Sequence, residues 1–337
     1  MQSKIDYSDH YYFGKQYSGI AKWKFHFKVW RNYRKADARL KETLRTKECW
    51  YGPFKGEFGH FLAHNLPFLA WLHRNGVKIH YCGMEIHKPF FVDENGNSII
   101  HDFYPLRDFF AEVSPACNRT VVPADVQTEI ESWKVKARAT GLPFFEIDDE
   151  YYYWFIHRGW LLKGPYTKGY RLDKVYGKGK RENSVCIFPR TKGAAVSKNN
   201  GGPWDYPALA DLLSPFFEKV YICGHPSQVL AIESHGNVEL CVTADNARIL
   251  EKCSQSRLII TQHSGVNNIG EYTDTQVLII YNGQAPIGSM QNTQRFRPYL
   301  MGDGKQELHP LAFAYSVDEV LAYIKAFTAG QNATKTG

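Results

Sequence analysis

The second half of the chain alternates short apolar runs with longer amphipathic stretches, which is the hydrophobic pattern of repeated βαβ units. Apolar runs predict strands at residues 184–189, 219–224, 238–242, 257–262 and 276–281. Helical periodicity predicts helices at residues 207–217, 228–235, 246–253, 264–272 and 317–327. Strands and helices that alternate at these spacings predict a parallel, doubly wound sheet.

The first half contains one clear βαβ unit, followed by a less regular region. A strand is predicted at residues 48–53, a glycine-containing loop at 54–60, a helix from there to about residue 75, and a second strand at 77–82. Residues 84–165 show a hairpin turn at 94–97 and a helix at 124–139. Residues 163–181 are rich in Gly, Lys and Tyr, which predicts a linker.

These patterns predict an α/β protein with two Rossmann-like domains that face a cleft, preceded by a basic helical segment. The chain has 337 residues, which is enough for two domains of about 150 residues each. We expect a basic aromatic segment at 1–47, an N-terminal domain at 48–165, a C-terminal domain at 182–315, and a closing helix and tail at 316–337.

Positive charge is concentrated near the N-terminus. The net charge is +7, yet residues 15–47 hold eleven Lys or Arg against two acids, so the rest of the chain sums to −2. The same segment carries the aromatic residues Trp23, Phe25, Phe27, Trp30 and Tyr33, and a helix is predicted at 21–46. Cations and indoles together suit an anionic membrane surface. The alternative is a helix that packs its aromatic side chains on the domain. A nucleic-acid arm is a weaker alternative, because no nucleic-acid-binding motif accompanies the segment.

The composition is that of a globular protein, with 44% hydrophobic and 22% charged residues. No apolar run is long enough to span a bilayer, and no signal peptide is visible, so we expect a cytoplasmic protein with the option of a peripheral position at the inner face of the membrane. The seven cysteines form no CxxC pair, which predicts buried, reduced thiols. Because no DxD follows a strand and no CxxC pair occurs, neither a metal nor a cofactor is expected.

The loop after the strand at 257–262 is the first candidate site. His263, Ser264, Gly265, Val266 and Asn267 open a predicted helix, where exposed N–H groups and the helix dipole favour a diphosphate. One turn later, Glu271 is a candidate acceptor for ribose hydroxyls. The alternative is that Ser264 only caps the helix and that Glu271 is solvated.

Two neighbouring strands also end in polar residues. Arg190 and Lys192 follow the strand at 184–189, where two cations would neutralise a departing diphosphate. A solvated basic loop is the alternative. Gly224 and His225 end the next strand, and glycine permits close approach of a ligand to the backbone. For His225, a capping or packing role is an equal alternative.

The first strand-to-helix loop carries Gly56, Glu57, Gly59 and His60. A carboxylate here would face the cleft, where Glu57 is placed to take a proton from an acceptor hydroxyl. His60 is the second candidate for this work. The alternative is a glycine turn in which Glu57 caps the helix.

These motifs resemble those of the bacterial heptosyltransferases of lipopolysaccharide synthesis. Gly56-Glu57 and His60, leading through Leu66-Pro67, resemble the first loop of that family, with Glu where the family has Asp. In the second half, the resemblance rests on Phe188-Pro189-Arg190-x-Lys192, followed by Trp204, and on Ser264-Gly265-Val266-Asn267.

The resemblance implies a GT-B fold and a metal-independent glycosyltransferase that inverts the anomeric centre. It implies that Glu57 is the base, that the N-terminal domain binds a glycan or lipid-linked acceptor, and that the C-terminal domain binds a nucleotide-diphosphate sugar. Other functions remain open at this point. A nicotinamide oxidoreductase lacks support, because no GxGxxG follows a strand. A nucleotide-sugar epimerase of similar fold and a non-catalytic glycan- or nucleotide-sugar-binding module are the remaining alternatives.

Overall fold

The computed structural model describes residues 18–55, 58–109, 122–147, 170–178, 181–190, 204–226, 232–262, 264–282 and 311–333. The described strands of the first half form one parallel sheet with the order β3-β2-β1-β4. Its strands are β1 (Glu48–Phe54), β2 (Lys78–Met84), β3 (Asp102–Leu106) and β4 (Phe144–Glu146).

The second half forms a larger parallel sheet with the order β10-β9-β8-β5-β6-β7. Its strands are β5 (Ser184–Phe188), β6 (Lys219–Gly224), β7 (Val238–Val242), β8 (Leu258–Thr261), β9 (Gln276–Ile280) and β10 (Ala312–Ala314). This is the doubly wound Rossmann order, and the first sheet repeats its first four strands. The two predicted parallel α/β units are therefore confirmed, with β10 as an additional edge strand.

Helices precede, connect and follow these strands along the chain. They are α1 (Gly19–Thr46), α2 (Phe58–His60), α3 (Leu66–Arg74), α4 (Ala124–Ala139), α5 (Asp173–Tyr176), α6 (Tyr206–Leu213), α7 (Asn246–Gln255), α8 (Ile269–Thr273) and α9 (Val317–Ala333). A π-helical turn at Phe61–Asn65 joins α2 to α3, and 3-10 helices occupy Glu85–Phe90 and Gly265–Asn268.

Two local predictions on the connections are corrected. The helix expected at 228–235 is absent from its described part, 232–235, because His235 forms an antiparallel bridge with Val238 across a turn in which Gly236 has φ 54°. The expected linker is not featureless either. Within it, α5 packs beside α7, and Tyr170 and Leu172 are buried in the core. By contrast, the hairpin turn at 94–97 is confirmed by a bridge between Val92 and Ser98.

Alternate residues of each strand enter different cores, so both sheets are covered on both faces. On one face of the first sheet, Trp50 and Met84 pack with α4. On one face of the second sheet, Ile187 and Ile260 pack with α6 and α9. The remaining faces of both sheets contribute to a single continuous cluster that also contains α3, α7 and α8. The two halves therefore share one hydrophobic core.

The predicted buried thiols are confirmed for the described part of the chain. Six cysteines are buried and free of disulfides: Cys49, Cys82, Cys186, Cys223, Cys241 and Cys253. Cys117 lies outside the described residues.

Side chains from the second half and from the linker also bond to backbone carbonyls of the first half. The hydroxyl of Tyr272 donates to the Leu62 carbonyl at 2.5 Å, and Asn246 Nδ2 donates to the Ile86 carbonyl at 2.7 Å. The hydroxyl of Tyr176 donates to the Pro89 carbonyl at 2.6 Å. These carbonyls belong to the π-helical turn and the 3-10 helix, where irregular hydrogen bonding leaves carbonyls available for other donors.

The variant Tyr272→Phe tests these bonds between the halves. Tyr272 is buried, so removing its hydroxyl leaves the Leu62 carbonyl without that donor in a dry environment. We expect the free energy of unfolding to fall by about 1–3 kcal/mol, measured by urea denaturation with an unchanged m-value. The control is Tyr104→Phe, because the Tyr104 hydroxyl makes no hydrogen bond to the described residues and lies partly exposed. Equal stability of the two variants would contradict the assignment.

The buried side chain of His87 leads to a second prediction, which concerns the pH dependence of stability. His87 is fully buried, its ring stacks on Phe61 with centroids 4.2 Å apart, and Nδ1 lies 3.3 Å from the Tyr81 hydroxyl. Burial lowers the pKa of His87 to about 3 from its ordinary 6.5, although the charge of Asp108 opposes the shift. Between these two values the unfolded chain binds more protons than the folded protein. Stability conferred by a neutral His87 is therefore lost as the pH falls from 6.5 towards 3.

The variant His87→Asn measures this contribution, because Asn keeps a polar atom near Nδ1 and does not titrate. Between pH 6 and pH 4, we expect the free energy of unfolding of the wild type to fall more steeply than that of the variant, by up to about 1.4 kcal/mol per pH unit. Parallel curves from urea denaturation across this range would show that His87 does not remain neutral in the fold.

Candidate functional site

The carboxyl ends of β5 and β8 lie side by side at the point where the strand order reverses. Phe188 at the end of β5 pairs with Thr261 at the end of β8. Arg190 follows the first strand and Ser264 follows the second. Open parallel sheets bind ligands at such a switch point. The structure therefore brings together two of the loops that the sequence nominated separately.

Tyr206 connects these two strand ends. Its hydroxyl donates to Gln262 Oε1 at 2.6 Å and accepts the backbone N–H of Arg190 at 3.1 Å. Both Tyr206 and Gln262 are buried. Burial raises the pKa of Tyr206, so the phenol stays protonated and can donate and accept at once. Sequence reasoning missed Tyr206. Asp205 followed by Pro207 is a helix-start signal that locates Tyr206 at the start of α6, but it does not indicate the strand ends that Tyr206 contacts.

The loop after β8 is held by its own hydroxyls. Ser264 Oγ accepts the Val266 N–H at 3.3 Å and lies 3.2 Å from Thr261 Oγ1. Ser264 therefore caps the turn, as the alternative interpretation stated. The helix predicted at 264–272 is a 3-10 turn followed by the five-residue helix α8. So few aligned peptides form only a small dipole, and any anion affinity must come mainly from individual N–H groups.

A backbone contact joins this loop to the first half of the chain. A Cβ built on Gly265 would lie 2.3 Å from the Gly59 nitrogen and 2.4 Å from the Gly59 Cα, so no side chain fits there. Asn268 Nδ2 also donates to the Gly59 carbonyl at 3.4 Å. The loop that contains the predicted base thus ends against the predicted phosphate loop.

Asn267 in the phosphate loop and Glu271 in α8 are both buried, which corrects the alternative of a solvated Glu271. Glu271 is only 5% exposed, so it is not the solvated residue that the alternative assumed. Asn267 is equally buried, and its Oδ1 has no hydrogen-bond donor among the described residues. A buried amide oxygen without a donor is costly, and a hydroxyl or amine of a ligand would satisfy it.

His225 makes a contact between the two halves. Its Nε2 lies 2.9 Å from Oδ2 of Asp108, which follows β3 in the first sheet. This contact favours the packing role for His225 over direct ligand contact, and no sequence pattern indicated Asp108. Gly224, at the end of β6, has no atom of the described residues within 4 Å of a built Cβ. Packing against the described residues therefore does not require glycine there.

The remaining candidate residues lie partly or wholly outside the residues that the structure describes. Gly56, Glu57, Lys192 and His263 lie outside the described residues. The backbone of His60 ends α2, immediately before the π-helical turn, and such turns occur frequently at functional sites.

The described residues contain no group of three or more His, Cys, Asp or Glu side chains that could hold a metal ion. Nor does this part of the chain include a helix with the length and apolarity needed to cross a membrane.

Comparison with known proteins yields structural likeness without sequence likeness. No family model and no curated protein matches the sequence. The structure of E. coli heptosyltransferase WaaC with ADP aligns with a TM-score of 0.50 at 12% identity, over 84% of this chain and 99% of that chain. E. coli ADP-heptose lps heptosyltransferase II aligns at 0.47 and 10% identity, over 85% and 99%.

A glycosyl transferase of family 9 from Veillonella parvula aligns with a TM-score of 0.47 at 12% identity, over 82% of this chain and 88% of that chain. Identities this low bear on the fold alone. Two parallel α/β sheets in Rossmann order, together with the WaaC alignment, show that this chain has a GT-B fold like that of the lipopolysaccharide heptosyltransferases.

Proposed function

We propose that this protein is a glycosyltransferase that moves a sugar from a nucleotide-diphosphate donor to a glycan or lipid-linked acceptor. The observation that carries the proposal is the contact between Gly59 and Gly265. It joins the loop of the candidate base to the loop of the candidate phosphate site. Transfer requires this proximity, because the acceptor oxygen and the leaving diphosphate flank the same anomeric carbon.

The proposed reaction is a single displacement that inverts the anomeric centre. Glu57, or His60 as the second candidate, takes the proton of the acceptor hydroxyl. The acceptor oxygen then forms a bond to the anomeric carbon as the bond from that carbon to the diphosphate oxygen breaks. Arg190, Lys192 and backbone N–H groups at 264–266 hold the negative charge that develops on the diphosphate. Because these groups supply the positive charge, we propose that no metal is required.

The other candidates are assigned to the donor. His263 and Val266 belong to the phosphate loop. Asn267 and Glu271 are assigned as acceptors of hydrogen bonds from the nucleoside. The Oδ1 atom of Asn267, which has no donor among the described residues, supports this assignment. We place Gly224 at the donor side of the cleft. His225 is assigned there less directly, because its contact with Asp108 would close the cleft beside the donor.

Nucleotide binding provides the first test. The protein is screened against ADP, UDP, GDP and CMP, with NAD as the comparison. We expect one of the first four nucleotides to stabilise it against thermal unfolding. ADP is included because the WaaC structure contains it. At a ligand concentration about a hundredfold above Kd, the stabilisation is about 2.7 kcal/mol.

Arg190→Ala should raise the Kd for that nucleotide by about tenfold or more, because a charge-assisted hydrogen bond contributes about 1.5–3 kcal/mol. The matched control is Arg257→Ala, since Arg257 lies at the amino-terminal end of β8, on the side of the same sheet away from the carboxyl ends of the strands. Stabilisation by NAD alone would support an oxidoreductase. No response to any nucleotide would remove the basis of the donor assignment.

The assignment of the base requires a reaction assay. Donor cleavage with water or a sugar acceptor is measured by release of the nucleotide, in the presence of EDTA. We expect the wild type to remain active, and Glu57→Gln to lower kcat by about 100-fold or more with unchanged nucleotide affinity. His60→Gln is the companion variant, with a smaller expected effect.

Four outcomes would contradict parts of this scheme. Loss of wild-type activity in EDTA, with recovery in excess Mg²⁺, would overturn metal independence. A larger loss in His60→Gln than in Glu57→Gln would move the base to His60. Nucleotide binding without any turnover would indicate a binding module, and a changed sugar without transfer would indicate an epimerase.

A further inference from the structure

The first half of α1 displays a row of large apolar side chains to solvent. Ile20 is 78% exposed, Trp23 79%, Phe27 58% and Trp30 48%. Their spacing of three, four and three residues places them along one side of the helix. The rings of Phe27 and Trp30 lie with centroids 5.7 Å apart. These four residues are called the aromatic stripe below.

The opposite side of the same helix attaches it to the protein. Phe25 and Leu40 are buried in the shared core, and Thr43 is fully buried. At about 100° per residue, these positions lie on the side of α1 away from the aromatic stripe. The helix is therefore anchored by one face, and the aromatic stripe points away from the body of the protein.

Positive charge accompanies the aromatic stripe. Residues 19–36 contain six Lys or Arg and no acid. By helical geometry, Lys24, Arg31 and Lys35 lie along one side of the aromatic stripe. Arg34 lies in line with the stripe, at its C-terminal end. All four are exposed. An apolar row bordered by cations is complementary to a surface that is apolar inside and negatively charged outside, which is the boundary of an anionic bilayer.

We infer that α1 docks this protein on an anionic lipid surface, with the aromatic stripe at the level of the headgroups and the flanking cations on the lipid phosphates. Indole rings favour this position because they are amphipathic. A second copy of the chain is a poorer occupant, because two stripes face to face would bring their flanking cations together. The inference does not depend on the proposed transferase activity.

The test is co-flotation of the full chain with phosphatidylcholine vesicles, with and without phosphatidylserine at about one lipid in three, at low and high salt. We expect binding to the anionic vesicles only, weakened by salt. The triple variant Trp23→Ser, Phe27→Ser, Trp30→Ser should lower the partition coefficient by about tenfold or more. Lys24→Glu, Arg31→Glu, Lys35→Glu should abolish binding to anionic vesicles.

The control is the double variant Val135→Ser, Val317→Ser, which removes two exposed apolar side chains from other helices and should bind as the wild type does. Thermal unfolding checks that each variant is folded. Wild-type binding by both triple variants, or no vesicle binding at all, would overturn the inference. So would a dimer that dissociates in the serine triple variant, or binding of poly-glutamate in preference to anionic vesicles, since these outcomes assign the stripe to a protein partner.

Discussion

The backbone contact between Gly59 and Gly265 is the constraint on which the arrangement of the two halves depends. Each residue occupies the space that a side chain of the other would need, since a built Cβ on either lies within 2.7 Å of the other's backbone. A larger residue at either position would push the two loops apart. Glycine therefore sets the separation between the first strand-to-helix loop of one sheet and the phosphate loop of the other.

Hydrogen bonds from side chains to backbone carbonyls of the first half stabilise the same arrangement of the two halves. The irregular turns at Phe61–Asn65 and Glu85–Phe90 leave carbonyls free of regular helical partners, and Tyr272, Asn246 and Tyr176 donate to them. Irregular backbone in one half is thus compensated by polar side chains of the other half and the linker. Because the hydrophobic core is also continuous between the sheets, the halves are joined by apolar burial as well as by these directed bonds.

The strand ends show the same dependence on buried polar groups. Tyr206 joins the Arg190 N–H to the Gln262 amide, which keeps the two loops in register at the switch point. Such networks are effective only when each member has a partner, because an unpaired polar group in a dry environment is costly. Asn267 Oδ1, in the loop after β8, lacks a donor among the described residues. The first half of α1 is different: Phe25 is buried in the core, whereas Trp23, Phe27 and Trp30 are exposed.

The sequence alone determined the local elements and the class of fold. Period-two and continuous apolar runs predicted β5 to β9, and helical periodicity predicted α1 and α4, because these patterns depend on neighbours in the chain. It also nominated Arg190 and Ser264 through the rule that ligands bind after strands. What it could not determine were contacts between distant residues. The partnership of Tyr206 with Gln262, the contact of His225 with Asp108, the burial of Glu271 and the closeness of Gly59 to Gly265 all require the packed structure. Nothing in the local sequence states which residues, here 56 to 206 positions apart, will meet. The helix predicted at 228–235 is not found in its described part, 232–235, for a related reason: His235 forms a bridge with Val238 at the start of β7, which helical periodicity does not reveal.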